Sequence, residues 1–155
     1  MTRLIDIRTV PRSRHNPQFN RETLAETLPA AGVSYAHLPG LGGLRHAERD
    51  SVNTGWTNLS FRGYADYMQT PAFETNLEAL LRQIGSDRVA IMCAEAVPWR
   101  CHRSLVSDAL AARDVAVEHI LSPARRQPHK VTSFARVEGT RVTYPGPPEN
   151  RKLDL

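Results

Sequence analysis

The stretch RVAIMCAEAVPWRCHRSLVSDALAARDVAVEHI, Arg88 to Ile120, decides the fold. Its apolar run at 88–93 reads as a buried strand, and a loop of Cys, Glu, Pro and Arg follows. An amphipathic helix at about 101–113 then opens on Cys101, His102 and Arg103 and leads into a strand at 115–120. Strand, polar loop, helix, strand is the unit from which α/β sheets are built.

The same alternation continues towards both ends. RLIDI (3–7) is a short β-rich run, and PRSRHNPQFN (11–20) is a loop, because Pro11 and Pro17 restrict the residues before them. Asn20 is placed to cap a helix over RETLAETLPAAG, with Leu24 and Leu28 on one face and Gly32 at the C′ position. VSYAHL (33–38) reads as a second strand. Pro39 to Asn58 is Gly-rich, polar and aperiodic, which fits a functional loop or a partly disordered one. SFRGYADYMQ and PAFETNLEALLRQIG read as helices, the second with Thr70 as cap, Pro71 at N1 and Gly85 closing it. Near the end, VTSFARVEGTRVTY alternates around Glu138-Gly139, the pattern of a hairpin. The expectation is an α/β core domain over 1–122, with a mainly parallel sheet flanked by helices. A C-terminal basic extension over 123–155, tail or hairpin, would pack on it.

Composition bounds the class. The chain has 155 residues, 41% hydrophobic and 23% charged, with no apolar run near the ~18 residues of a membrane span. MTRLIDIRTV lacks the apolar region of a secretory signal, which points to a cytoplasmic protein with no membrane partner. Two cysteines make no disulfide scaffold and read as thiols. The net charge of +4 is uneven: residues 1–21 carry five Arg against one Asp, and residues 121–155 carry seven Lys and Arg against three acids. Basic ends of this kind suit phosphate or nucleic acid, or they are simply solvated.

In open α/β sheets ligands bind beyond the carboxyl ends of the strands. The loops Thr9–Phe19, Pro39–Asn58 and Ala94–Arg100 would then meet on one edge and bring Asp6, Arg8, Arg12, Arg14, His37, Cys93, Glu95, Arg100, Cys101, His102, Arg103 and Ser104 towards each other. Cys101 at a helix start, beside Arg100, His102 and Arg103, has the setting that lowers a thiol pKa. The tyrosine-phosphatase loop has five residues between its cysteine and arginine, whereas Cys93 and Arg100 enclose six, including Pro98. A zinc reading is poorly served, because neighbouring residues on a helix point about 100° apart and Cys101 and His102 would diverge. No metal and no cofactor is expected. His102 falls on the apolar face of Leu105, Val106, Ala109 and Leu110, as a satisfied core histidine or as a site residue held by Asp6 or Glu95. Phe61, Tyr64 and Tyr67 have helical spacing and, with Trp56, read as core before they read as a stacking surface.

Taken together, LIDIRTVPRSRHNPQFN, YAHLPGLGG, YMQTPAF, VAIMCAEAVPWRCHRSLVSDAL, VAVEHI and FARVEGTRVTYPG resemble the bacterial family catalogued as domain of unknown function 488. Members of that family usually begin with a further strand and helix. LIDIR and CHRS also resemble, more loosely, segments of rhodanese-like proteins. The resemblance implies the fold and the site and leaves the reaction open. Three functions are therefore carried forward: binding or processing of a phosphate-bearing ligand, nucleotide or nucleic acid; thiol chemistry, sulfurtransferase-like or phosphatase-like, with Cys101 or Cys93 as nucleophile and His102 and Glu95 assisting; and a non-catalytic partner-binding module. In the first, Asp6, Arg8, Arg12, Arg14, His37, Arg100, Arg103 and Ser104 hold the ligand.

Overall fold

The computed structural model describes residues 1–85 and 87–147. β1 (Arg3–Asp6) lies between two parallel neighbours, β2 (Ser34–His37) and β3 (Val89–Met92), in the order β2-β1-β3. The chain passes from β1 to β2 through α1 (Arg21–Ala30), and from β2 to β3 through α2 (Leu59–Tyr67) and α3 (Pro71–Ile84). The mixed α/β architecture with a parallel sheet is the one its alternation of strands and helices specifies. Contacts divide the chain into two compact units, 1–43 with 71–96 and 44–70 with 97–155.

The first unit holds the parallel sheet, α1 and α3. Ile5, Ile7, Leu24, Leu77 and Leu80 are buried. Gly32 has φ +77°, and the bonds Gly32 N to Pro29 O and Val33 N to Leu28 O close α1 as a Schellman motif, which requires a left-handed residue there. At the other end, Asn20 precedes α1 but its side chain caps nothing; Oδ1 accepts from Ser13 N (2.7 Å) and fastens the Arg loop.

The second unit holds α2, α4 (Arg103–Ala111) and two hairpins, β4 (Glu118–Ser122) with β5 (Arg125–Pro128) and β6 (Arg136–Glu138) with β7 (Arg141–Thr143). The strand expected at 115–120 is therefore displaced and does not join the parallel sheet. Its alternating exposure, with Ile120 62% exposed, suits an antiparallel pair wetted on one face better than a strand covered on both. The expected hairpin around Glu138-Gly139 forms, Gly139 supplying φ +61°. The C-terminal tail with Arg151 and Lys152 lies outside the described residues.

The segment before α2 is pinned by one buried carboxylate. Asp66 accepts from Glu48 N (2.8 Å), Ser51 Oγ (2.6 Å) and Asn53 Nδ2 (2.7 Å), and Asn53 Oδ1 accepts in turn from Tyr144 N (2.9 Å). Gly63 lets residues 45–47 lie directly on α2, since a Cβ there would run into the Arg45 carbonyl. Trp56 packs against Phe61, Phe134 and Tyr144 at centroid distances of 5.0, 4.8 and 5.5 Å, in edge or tilted arrangements. No helix among the described residues is long and apolar enough to cross a membrane.

Candidate functional site

The residues expected to form one site are divided between the two units. In the first, the carboxyl ends of the parallel strands bring Asp6 opposite His37. Asp6 is fully buried, and Arg8, two residues on, turns back on it: Nε donates to Oδ1 (2.8 Å) and Nη2 to Oδ2 (2.6 Å). The Arg8 amide also reaches Oδ1 (3.1 Å), the Tyr35 hydroxyl reaches Oδ2 (2.6 Å), and Arg8 Nη2 shares its remaining reach with Phe19 O (2.7 Å). Burial opposes the charge on Asp6, yet the bonds from Arg8 and Tyr35 outweigh it and hold the carboxyl below its ordinary pKa. The bond to Asp6 raises Arg8, while burial and Asp6 push Tyr35 up to about 12. His37 Nε2 meets Arg8 O at 2.7 Å. Asp6 and Arg8 thus spend these polar atoms on each other, on Tyr35 and on the backbone.

Cys93 closes a tight turn after β3, its Sγ accepting from Glu95 N (3.3 Å), while Arg12 and Arg14 stand exposed on the loop after β1.

In the second unit, Pro98–Arg100 form a single 3-10 turn that leaves Arg100 exposed. Cys101 follows in extended conformation (φ −135°, ψ 146°), so α4 begins only at Arg103. That geometry corrects the expectation that Cys101 and His102 diverge: Cys101 Sγ lies 3.7 Å from His102 Nδ1. Sγ also accepts from Arg103 N (3.3 Å) and Arg103 Nε (3.4 Å). His102 is not a satisfied core histidine. Its ring lies 4.8 Å from that of Tyr64, and its Nε2 is buried with no partner among the described residues.

A second buried polar arrangement involves residues for which the sequence suggests no role. Asp108, on the buried face of α4, accepts from Thr132 N (3.1 Å) and Thr132 Oγ1 (2.7 Å) and from the Tyr144 hydroxyl (2.7 Å). His129 Nε2 meets its Oδ1 at 2.7 Å, and His129 Nδ1 meets His119 Nε2 at 2.8 Å. Asp108 is fully buried and the His129 side chain is 6% exposed. Burial, with Asp108 beside it, raises the Tyr144 pKa far above its ordinary value, so the phenol stays a donor. Burial first, then the charges of His129 and Arg103, lower that of His119. His119 and His129 line a cleft of about 230 Å³ together with Trp56, Trp99, Ser104 and Lys130.

A family described as Domain of unknown function DUF488 matches residues 1–110. The chain belongs to it. No curated protein and no solved structure matches the chain. The part matched to DUF488 takes in both cysteines, Arg103 and Asp108 and ends before His119, His129 and Tyr144. A signal for Asp108 was present in the sequence: an acid on the face that carries Leu105, Val106 and Ala109 is buried on folding and needs partners. Its partners lie 21, 24 and 36 residues further on, beyond any local pattern.

Proposed function

We propose that the cleft of the second unit binds a phosphate-bearing ligand, a nucleotide or nucleic acid. The observation that carries this is the indole of Trp99, 62% exposed in the lining that also contains Lys130 and Ser104. A flat π surface beside a cation and a hydroxyl matches a base joined to a phosphate, and stacking of one base contributes about 1–3 kcal/mol. Trp56 adds support, because its Nε1–H is buried without an acceptor among the described residues and its side chain lines the same cleft. A ligand oxygen or ring nitrogen would satisfy that donor.

The test is a thermal-shift titration with phosphate, sulfate, mononucleotides and a short oligonucleotide. Binding raises stability by RT ln(1 + [L]/Kd). Trp99→Ala diminishes the shift given by nucleotides and spares that given by phosphate, whereas Lys130→Ala diminishes both. For the oligonucleotide, affinity falls with salt at a slope of about −0.7 per phosphate contacted. Absence of a shift with every one of these ligands overturns the reading.

Thiol chemistry is the second reading, favoured by the two N–H groups of Arg103 that converge on Cys101 Sγ. Such donors stabilise a thiolate. The reading expects Cys101, though only 3% exposed, to be alkylated before the half-buried Cys93, with a rate inflection below the ordinary value near ~8.5. Prior reaction of Cys93, or turnover retained in Cys101→Ser, removes it.

A further inference from the structure

The direction of every proton in the buried chain of the second unit follows from its acceptor. Asp108 receives donors on both oxygens, from Thr132 and from Tyr144, so its bond with His129 is one in which His129 Nε2–H donates. With His129 neutral, its Nδ1 is the unprotonated nitrogen and accepts from His119 Nε2–H. One basic atom is left over, Nδ1 of His119, on the residue that borders the cleft. A positive charge arising there is stabilised through two hydrogen bonds by a buried carboxylate, the logic that lets an aspartate orient a histidine base.

We propose that His119 is the general acid–base residue of a phosphodiester-cleaving site in this cleft, with His129 and Asp108 as its positioning residues. The proposal deepens the ligand reading above and names the bond acted on. His119 Nδ1 takes a proton from water as the water oxygen bonds to phosphorus. The bond from phosphorus to the leaving oxygen breaks, and the proton on the imidazolium passes to that oxygen. One water is consumed, and an alcohol and a phosphomonoester are released. A diester carries a single negative charge, which one lysine, Lys130, suffices to balance. The lowered proton affinity of His119 keeps it neutral, and therefore basic, near neutral pH. The groups that face it are His129, Arg103 and Asp108, with Lys130 in the same lining. Its strand neighbour Glu118 is paired with Arg126 of β5.

The experiment follows hydrolysis of bis(p-nitrophenyl) phosphate and of a dinucleoside monophosphate, beside the nucleotide thermal shift, in wild type, His119→Gln and Asp108→Asn. Wild type turns over both esters, with kcat/KM rising with pH to a plateau and a midpoint below the ordinary histidine value of ~6.5. His119→Gln loses about 10²–10⁴-fold in kcat and keeps the nucleotide shift. Asp108→Asn moves the midpoint to lower pH, because the charge of Asp108 strengthens proton binding at His119, an effect that a merely structural role would not produce. Should Asp108→Asn fail to fold, ring ¹⁵N spectra of the wild type serve instead, and must show His119 and His129 both protonated on Nε2. The opposite tautomers overturn the proposal, as does undiminished hydrolysis in His119→Gln. A nucleotide shift without hydrolysis by wild type overturns the acid–base role and leaves the ligand reading standing. Absence of both the shift and the hydrolysis overturns the two together.

Discussion

Each unit buries an aspartate completely and gives it a tyrosine hydroxyl, yet the remaining partners of the two carboxylates differ in kind. Asp6 is closed by Arg8, whose charge is permanent, and both residues are almost wholly withdrawn from solvent. Asp108 is closed by Thr132 and Tyr144 on one side and opened on the other by two histidines that end at a cleft. A fixed charge buried against a carboxylate has no proton to pass on. A chain of imidazoles carries protons, because each ring exchanges its donor and acceptor nitrogens. The contrast teaches that buried acid is not by itself a functional signal; what terminates its hydrogen bonds is.

The largest effect belongs to the closed cluster. Arg8→Met leaves Asp6 as a buried, unpaired charge and is expected to cost about 3–5 kcal/mol of stability in denaturant unfolding. His119→Gln, at a half-buried position, is expected to cost under about 1 kcal/mol while losing the hydrolysis assigned to it. If the two costs were reversed, the assignment of one cluster to folding and the other to chemistry would fail.

An intermediate effect compares the two tyrosines. Tyr35→Phe and Tyr144→Phe each remove one hydroxyl from a carboxylate oxygen that keeps another donor, Arg8 Nη2 in the first case and Thr132 Oγ1 in the second. A loss of about 1.5–3 kcal/mol is expected where the bond is fully buried. Tyr144 is fully buried and Tyr35 is partly exposed, so Tyr144→Phe should be the more costly in the same unfolding assay. Equal costs would mean that burial does not separate the two sites.

What the sequence made legible follows the range of the interaction that produces it. The strands β1, β2 and β3, the glycine that ends α1, the long α3 and the β6–β7 turn all rest on neighbours within a few residues, and all appear. Displacement of the fourth strand was not legible in the same way, because a short apolar run does not reveal which strand it will pair with. The expectation that Asp6, Arg8 and Cys101 share an edge followed from topology alone. It did not anticipate that Arg8 would fold back onto Asp6. His119 and His129 were the least legible, since a histidine in an alternating strand and another after a hairpin acquire meaning only once α4 places Asp108 beside them.

The smallest expected effect sharpens the comparison through pH. His119 binds its proton more weakly in the folded chain than at the unfolded value of ~6.5, so between those two values the unfolded chain holds a proton that the folded chain lacks. Stability from this source is complete above ~6.5 and is lost as pH falls through the folded value. Asp6 is also lowered, from 3.8, so its contribution is intact throughout that window and is lost only as pH falls below 3.8 through its own folded value. The two clusters therefore fail in sequence, the histidine chain on mild acidification and the ion pair only in strong acid. Both tryptophans, Trp56 and Trp99, belong to the second unit, so their fluorescence reports unfolding where the first loss arises. Unfolding midpoints measured from pH 8 to pH 5 should fall in the wild type and fall less in His119→Gln, which has no proton to bind there. The slope in Tyr35→Phe should match that of the wild type over the same range. A slope indifferent to His119→Gln would place the acid sensitivity elsewhere and detach the histidine chain from the role its geometry gives it.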